Sequence, residues 1–245
     1  MPTVSHPVTR FPRQVEAERL DSLPASDPAA IRSRRDLQRL NRLMGQARAM
    51  VRLLRTHGAM RSMRRVVDLG SGDGTLLLQM ARKLAPDCGG VQAVLVDRQA
   101  PVSDRTREEF RQFGWGIETA TSDVLQWLVS APRHEGTVMI ANLFLHHFQD
   151  APLRALLEQV STRAELFVAC EPRRDRLTLQ ASLLVGWIGC NAVTRHDAPI
   201  SVRAGFTGRE LSTLWPADGD WRTEEGPIGP FSHYFVARRE TRAPH

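Results

Sequence analysis

Apolar positions along most of the chain alternate between short continuous runs and longer stretches with a helical repeat. The short runs are rich in Val, Ile, Leu and Ala, and residues with three- to four-position apolar spacing separate them. Parallel strands that are buried on both faces have such continuous runs, whereas their crossover helices carry one apolar stripe. The pattern predicts βαβ units in a mostly parallel sheet. The predicted strands are 65–69, 92–96, 116–121, 136–142 and 165–170.

The stretches between these strands predict the crossover helices. A further helix is expected after Pro172, ending near residue 188. Two apolar segments close the chain at 221–226 and 231–239, and the Pro-Ile-Gly-Pro sequence between them predicts an antiparallel hairpin at the sheet edge. The helices predicted between the strands are 75–84, 104–113, 124–129 and 151–163.

The N-terminal part of the chain has a different pattern. The first 30 or so residues contain five prolines and no sustained periodicity, which predicts an extended or mobile arm. Residues 36–56 predict one amphipathic helix that packs on the domain or caps it. Its apolar stripe is Leu37, Leu40, Leu43, Met44, Ala47, Met50, Val51 and Leu54. We therefore divide the chain into an arm and cap helix, residues 1–60, and a main domain, residues 61–245.

Composition is typical of a soluble globular protein. Hydrophobic residues make up 42% and charged residues 24% of the 245 positions. No apolar run reaches the roughly 18–20 residues of a membrane span, and the N-terminus has no apolar core of a secretory signal. Cys88, Cys170 and Cys190 are far apart without a CxxC pair, so we expect free buried thiols and neither a disulfide framework nor a metal site. These features predict a cytoplasmic protein.

Charge is distributed unevenly along the chain. Residues 1–65 contain 14 Arg and 5 acidic residues, a net +9, whereas the remainder carries 19 basic and 22 acidic residues, a net −3, which together give +6. One hypothesis is a binding module that docks RNA or an acidic carrier protein through this segment. Phe11 is the single aromatic residue in it, which argues against stacking on nucleic acid. A lid or a homodimer interface is the preferred role for the helix predicted over residues 36–56.

A glycine-rich loop follows the first predicted strand, in the sequence VVDLGSGDGTL. The triphosphate-binding pattern G-x-x-x-x-G-K-[ST] is absent. The dinucleotide pattern fits in part, since Gly70 and Gly72 are in register but Thr75 replaces the third glycine. Asp68 would place negative charge near a pyrophosphate, which opposes binding of phosphates. The loop therefore suits a phosphate-free ligand with a cationic group, although the glycines alone also fit an ordinary tight turn.

The loop resembles motif I of class I S-adenosylmethionine-dependent methyltransferases, and three downstream segments extend the similarity: LVDRQ, TSDVLQW and IANLFLHHF. The resemblance, to the small-molecule branch, implies S-adenosylmethionine as cofactor. It also implies a Rossmann-like seven-stranded sheet, mostly parallel with an antiparallel C-terminal strand, helices on both faces and an N-terminal helical cap. The cofactor-binding residues that it implies are Asp68, Gly70, Ser71, Gly72, Asp97, Arg98, Asp123, Val124, Asn142 and Leu143.

The roles within this set differ. The resemblance assigns Asp97 to the ribose hydroxyls, Asp123 to the adenine amino group with Val124 beside the ring, and Asn142 and Leu143 to the methionine end. Other interpretations stay open from the residues alone. Asp97 also fits an ordinary strand-end carboxylate, and Asp123 fits a helix N-cap before VLQWL.

Catalytic candidates follow the fourth and fifth strands. Methyl transfer is an in-line displacement, and a hydroxyl acceptor needs a base, for which histidine is best suited near neutral pH. His146 and His147 are the candidates, and on a helix they would point about 100° apart, so that only one faces the acceptor. Glu171 is expected to orient a histidine or hold an acceptor hydroxyl, with an arginine ion pair as the alternative.

Substrate candidates lie in the C-terminal third. Arg173, beside Arg174, could bind an anionic acceptor, although such pairs are more often solvated. His196 and Arg203 lie in a segment that ends in a Gly205-Phe206 bend before a short helix. Adjacency alone does not make a dyad of His196 and Asp197. His233, in an alternating strand, is interpreted as a sheet residue.

The sequence thus predicts a methyltransferase that acts on a small molecule, without a metal. O-methylation of a phenol, enol or carboxylate in secondary metabolism, assisted by histidine, is the leading interpretation. C-methylation of a quinone or polyketide precursor is the alternative, because the LHH-like segment also resembles the quinone-biosynthesis branch.

Overall fold

A computed structural model describes residues 11–99, 102–217 and 220–240. Within these ranges seven strands form one sheet, in the order β3-β2-β1-β4-β5-β7-β6. The mixed, mostly parallel sheet of the predicted fold class is confirmed. The strands are β1 (Arg65–Leu69), β2 (Gln92–Asp97), β3 (Gly116–Thr121), β4 (Thr137–Asn142), β5 (Leu166–Pro172), β6 (Trp221–Ile228) and β7 (Ser232–Arg239).

Strands β1 to β5 are parallel, and β1 lies between β2 and β4. The order therefore reverses beside β1, and in open parallel sheets ligands bind at this switch point, beyond the carboxyl ends of the strands. Strand β7 pairs antiparallel with β5, and β6 pairs with β7 at the edge, as the predicted hairpin requires. Each predicted strand agrees with the structure within two residues at either end.

Helices cover both faces of the sheet. Alternate residues of β1 enter opposite cores: Val66 packs with Leu77, whereas Val67 packs with Leu153. Burial on both faces explains why the strands read as continuous apolar runs. The helices are α1 (Arg19–Ser22), α2 (Pro28–Leu43), α3 (Gln46–Thr56), α4 (Thr75–Leu84), α5 (Asp104–Gln112), α6 (Val124–Ser130), α7 (Asp150–Arg163), α8 (Arg176–Leu183), α9 (Ala192–Ala204) and α10 (Glu210–Leu214).

The single cap helix predicted over 36–56 is wrong. Helices α2 and α3 are separate because Gly45 adopts a left-handed conformation with φ of 70°. Helix α3 joins the core as predicted, but Leu43 of the expected stripe is 69% exposed. The buried side chains of α2 are Ala30, Ser33 and Asp36 instead, on a mixed face that hydrophobic spacing alone does not reveal.

Part of the N-terminal arm is described, and it is packed on the domain. Residues 11–22, here called the strap, have no regular secondary structure up to Glu18 and then form α1. Arg13 donates to the carbonyl oxygens of Ala204 and Phe148, at 2.8 and 2.7 Å. The carboxylate of Asp197 accepts from the backbone N–H groups of Arg19 and Leu20. The mobility expected for the arm stays a prediction, and residues 1–10 lie outside the described part.

The helix predicted from Pro172 to residue 188 is also shorter than expected. It is α8, followed by a short 3-10 turn at Val185–Ile188. Helix α9 was not predicted, because Pro199 inside it interrupts the pattern of a helix interior. The side chain of Asn191 accepts a hydrogen bond from the N–H of Thr194, and this N-cap is a signal that sequence reasoning passed over.

The three cysteines are free and buried, as predicted. Among the helices of the described ranges, none combines the length and the hydropathy that crossing a membrane requires. The division of the chain at residue 60 stays a prediction.

Candidate functional site

The glycine-rich loop joins β1 to α4 at the switch point of the sheet. Gly70, Gly72 and Gly74 all have positive φ, at 71°, 55° and 78°. This conformation is unfavourable for residues with a side chain, so the loop needs its glycines. Gly70 has a second constraint, because a Cβ there would lie 2.2 Å from Cδ2 of Phe144. The loop is thus pressed against the segment that follows β4.

Asp68, two residues before the loop, is 2% exposed. Burial raises the pKa of this carboxyl to about 8, and the nearby charge of Asp97 raises it further in the same direction. Removing a carboxylate from water without a partner is costly, so the acid form is favoured until a cation arrives. Asp68 is therefore well placed to respond to a positively charged ligand.

Three buried polar atoms at this edge of the sheet have no hydrogen-bond partner in the part of the chain that the structure describes. They are Oδ2 of Asp68, Oγ of Ser71 and Oδ1 of Asn142. Each such atom costs roughly 1–3 kcal/mol. Since β1 and β4 are adjacent, the three atoms belong to one region at the strand ends. This donor and acceptor set fits a polar ligand held between the loop and β4.

Asp97, at the end of β2, supports the loop from the other side. Its carboxylate accepts hydrogen bonds from the backbone N–H groups of Gly72, at 2.9 Å, and Gln99, at 2.8 Å. The neighbouring Arg98 is exposed, and its charge helps to lower the pKa of Asp21 on the strap, where burial acts in the opposite direction. Asp97 therefore has a structural role at the end of β2, because it holds the backbone of the glycine loop.

Asp123 caps α6. Its Oδ1 accepts from the N–H groups of Leu125 and Gln126, at 2.9 and 3.3 Å. The capping interpretation therefore describes Asp123 in this structure. Val124 is 4% exposed and belongs to the core cluster on that face of the sheet. Their contacts with a cofactor stay a prediction.

The segment after β4 contains a strained residue. Leu143 has φ of 51°, and it is the one residue other than glycine with positive φ among those described. Such conformations cost of the order of 1–3 kcal/mol and concentrate at ligand sites. The N–H of Leu143 bonds to the carbonyl oxygen of Cys170 on β5. Phe144, which follows Leu143, lies against Gly70, and the turn that carries the histidines begins at Leu145.

Glu171 and His146 form a buried pair at the ends of β5 and β4. One oxygen of the fully buried Glu171 accepts the backbone N–H groups of Phe144 and Leu145, and the other lies 2.8 Å from Nδ1 of His146. Burial alone lowers the pKa of His146, but the hydrogen bonds to Glu171 and Glu18 outweigh it and raise the value to about 9. Glu171 thus orients a histidine, one of the predicted roles, and no arginine is its partner in the contacts described.

His147 lies beside His146 on the same side of the turn. The turn Leu145–His147 is a 3-10 helix, and the two imidazole rings are 4.3 Å apart between centroids. The divergence of about 100° was expected only for an α-helix, which this turn is not, and here the two side chains bring their rings together. The Nδ1 of His147 lies 3.3 Å from Oδ2 of Asp21, and its side chain is 26% exposed.

The strap supplies two carboxylates that sequence reasoning missed. Oε1 of Glu18 lies 3.4 Å from Nε2 of His146, and Asp21 contacts His147. Neither residue follows a parallel strand, so the strand-end rule does not find them. The sequence feature that could have indicated them is the spacing of Glu18 and Asp21, two acidic residues three positions apart in an arginine-rich segment.

The predicted substrate residues have different local contacts. Arg173 pairs with Asp175 at 2.7 Å. Arg174 is buried and binds the carbonyl oxygens of Gly205 and Phe11 and the carboxylate of Glu210, so the solvated interpretation is wrong for it.

His196 is partly exposed, and its Nδ1 lies 2.8 Å from Asp197, so the two neighbours do form a pair. Asp197 at the same time anchors the strap. Arg203 is half-buried, and its carbonyl oxygen accepts the N–H of Gln14. His233 is a sheet residue paired with Glu225, as predicted.

Comparison with known proteins agrees with this geometry. Residues 66–164 match the family model of a methyltransferase domain. None of the curated proteins matches the chain in sequence. Residues 66–164 are thus similar to a methyltransferase domain, and the sheet order is that of a Rossmann-like methyltransferase fold.

Solved structures share the fold at low identity. An O-methyltransferase family protein from Burkholderia thailandensis has a TM-score of 0.58 at 18% identity, over 89% of this chain and 61% of its own. Human N-acetylserotonin methyltransferase, in complex with S-adenosylmethionine, has 0.56 at 18% identity, over 90% and 61%. The methyltransferase domain of bacterial CtHen1-C has 0.52 at 16% identity, over 80% and 97%. The chain thus spans about three fifths of the first two proteins.

Proposed function

We propose that the protein is an S-adenosylmethionine-dependent methyltransferase that methylates an oxygen of a small molecule. The observation that carries the proposal is the unpartnered, buried Oδ2 of Asp68 beside the glycine loop. When bound, the cofactor supplies an electrophilic methyl group on a sulfonium. A buried carboxylate favours such a cationic ligand, and it disfavours the pyrophosphate of a dinucleotide.

The chain's own residues would hold this cofactor along the carboxyl edge of the sheet. Ser71 and Asn142 offer polar atoms without partners, and the loop that carries Gly70 and Gly72 lets the ligand approach the backbone. Asp97 is assigned to the ribose hydroxyls, with Arg98 beside it. Asp123 and Val124 are assigned to the adenine end, and Leu143 to the methionine end.

The histidine turn is assigned to the acceptor. An acceptor oxygen must become nucleophilic before in-line transfer, and His147 and His146 are the polar side chains that follow Asn142 and Leu143. Glu171 acts through His146, since its oxygens already hold that ring and the backbone of the turn. Phenols, enols and carboxylates of secondary metabolites are the acceptors that we favour, with Arg173, His196 and Arg203 as candidate contacts for an anionic group.

Docking of RNA or of an acidic carrier protein receives less support. Several arginines of the basic segment are engaged in ion pairs with the chain itself: Arg13, Arg39, Arg55 and Arg65. Each pair removes positive charge from the surface that a polyanion would meet. We therefore keep a small molecule as the acceptor, and a homodimer stays a prediction.

Calorimetric titration tests the cofactor assignment without knowledge of the acceptor. We expect S-adenosylmethionine and its demethylated product S-adenosylhomocysteine both to bind the folded protein, with one site per chain. Folded protein that binds neither compound overturns the proposed function.

A further inference from the structure

Three side chains with metal-ligand atoms converge where the strap crosses the histidine turn. Glu18, His146 and His147 each offer one ligand atom, and these three atoms all lie within 4.8 Å of one another. Glu18 and His146 are buried, whereas His147 is partly exposed. Two imidazoles and one carboxylate form a donor set that suits first-row transition ions and Zn²⁺ better than Mg²⁺.

The surroundings of His146 match those of a metal-bound imidazole. A histidine that binds a metal through one ring nitrogen usually donates the other N–H to a carboxylate, which fixes the ring. Here Nδ1 of His146 lies 2.8 Å from the fully buried Glu171, and Nε2 faces Oε1 of Glu18 at 3.4 Å. Bonds of about 2.1 Å in tetrahedral geometry place two ligand atoms about 3.4 Å apart. The Glu18–His146 spacing therefore already fits an ion between them.

Charge at the cluster also favours a dication. The carboxylates of Glu18, Glu171 and Asp21 surround the two imidazoles. Arg13 lies nearby, but its guanidinium donates to Asp150 and to the carbonyl oxygen of Phe148. Asp21 is exposed, but the buried carboxylates of Glu18 and Glu171 need compensating positive charge, which a divalent ion supplies more fully than a proton.

We propose that Glu18, His146 and His147 bind one divalent transition-metal ion at the acceptor side of the sheet. Three protein ligands leave a coordination position open, which catalytic sites use for water or substrate. Occupation of that position by the acceptor oxygen deepens the proposed function and rests on it. Binding of the ion itself does not depend on that function. The sequence predicted no metal, because Glu18 comes from a segment outside the βαβ pattern.

Metal binding is tested on the full chain, without a histidine tag, after removal of bound metals with a chelator. Zn²⁺, Mn²⁺ and Co²⁺ are titrated separately, and bound metal is counted by mass spectrometry after gel filtration. We expect about one equivalent of at least one of these ions. Co²⁺ should also give visible absorption bands, since its d–d transitions report nitrogen and oxygen ligation.

Variants separate the site from adventitious surface binding. His147→Ala and Glu18→Gln should lose stoichiometric binding, and His134→Ala, which removes an exposed histidine elsewhere, should retain it. Circular dichroism checks whether His147→Ala is folded. We expect it to fold, because the side chain of His147 is partly exposed. Less than about 0.1 equivalent in the wild type, or equal binding in wild type and folded His147→Ala, overturns the proposal. Binding of S-adenosylhomocysteine is measured by calorimetry in a separate experiment. Failure of the metal site and failure of the cofactor assignment are thereby distinguished.

Discussion

The carboxylate of Asp97 accepts a hydrogen bond of 2.9 Å from the backbone N–H of Gly72, which ties the end of β2 to the glycine loop beyond β1. Adjacent strand ends thereby share one rigid edge at the switch point. The same carboxylate is the residue that we assign to the ribose of the cofactor. Asp97 thus supports the loop, and the proposed ligand contact would use the same carboxylate.

Replacing Asp97 with Ala should weaken binding of S-adenosylhomocysteine by at least about 100-fold. Hydrogen bonds to a charged group contribute about 1.5–3 kcal/mol each, and two ribose hydroxyls are assigned to this carboxylate. Calorimetry measures the change, with Asp104→Ala, an exposed acidic residue of α5, as the control. Equal affinity in Asp97→Ala and wild type would remove Asp97 from the cofactor site.

Cofactor binding should depend on pH through Asp68. Because the pKa of this carboxyl is about 8, raised by burial and by Asp97, the free protein holds a proton there at pH 7. A cationic ligand favours the ionised form, so the affinity for S-adenosylmethionine should fall up to about tenfold per pH unit below 8 and level off above it.

Calorimetry in two buffers of different ionisation enthalpy checks this assignment. At pH 7, more protons should pass to the buffer on binding in the wild type than in Asp68→Asn. The ligand's own amine titrates in both proteins, so the difference between them isolates Asp68. Identical proton release in the two proteins speaks against the role of Asp68.

Gly70 and Gly72 provide a matched pair for the stability of the loop. Gly72→Ala should cost about 1–2 kcal/mol from its φ of 55° alone, since no atom lies within 4 Å of the added Cβ. Gly70→Ala should cost more, because its Cβ also overlaps the ring of Phe144. Urea unfolding measures both changes.

A second substitution tests the cause of this difference. Phe144→Leu in the Gly70→Ala background should recover part of the lost free energy of unfolding, because it removes the ring that overlaps. Equal destabilisation by the two glycine substitutions would mean that the loop and the segment after β4 are not packed together as described.

His147→Ala separates the two kinds of acceptor. Loss of assistance at an acceptor oxygen should lower the methyl-transfer rate by about 10²–10⁴-fold, whereas an acidic carbon between two carbonyls needs little assistance. The rate is measured with labelled S-adenosylmethionine on phenols, carboxylates and 1,3-dicarbonyl compounds. Retention of substantial activity on a carbon acceptor would favour C-methylation over the proposed O-methylation.

Substitution of Asp197, which anchors the strap, should release the strap from the domain. In Asp197→Ala the backbone N–H groups of Arg19 and Leu20 lose their acceptor, so limited proteolysis should cut within residues 11–22 faster than in the wild type. Glu16→Gln, at an exposed position of the same segment, is the control. Unchanged cleavage in Asp197→Ala would show that other contacts hold the strap.

The βαβ part of the fold was predictable because β1, β2, β4 and β5 are buried on both faces and the helices on one. Strand β1 and helix α4 agree with the predicted bounds to the residue. The break at Gly45 was missed, since glycine costs only about 1 kcal/mol in a helix and its left-handed conformation is decided by packing. Helix α9 was missed because Pro199 suggested an end rather than an interior.

The positions that we propose for the cofactor were also predictable from the sequence, because strand-end positions follow from the strand order. Asp68, Asp97 and Asn142 lie at that edge as the topology requires. The acceptor side was less accessible. Glu18 and Asp21 reach the histidines through a long-range fold of the strap, and no local pattern specifies such a contact.

A crystal structure with S-adenosylhomocysteine tests the central claim most directly. The ligand should lie along the carboxyl edge from Asp97 to Asn142, and Oδ2 of Asp68, Oγ of Ser71 and Oδ1 of Asn142 should then lie within hydrogen-bond distance of the ligand or of water that the ligand orders. A ligand bound away from the glycine loop, or the same three atoms unpartnered beside a bound ligand, would contradict the proposed function.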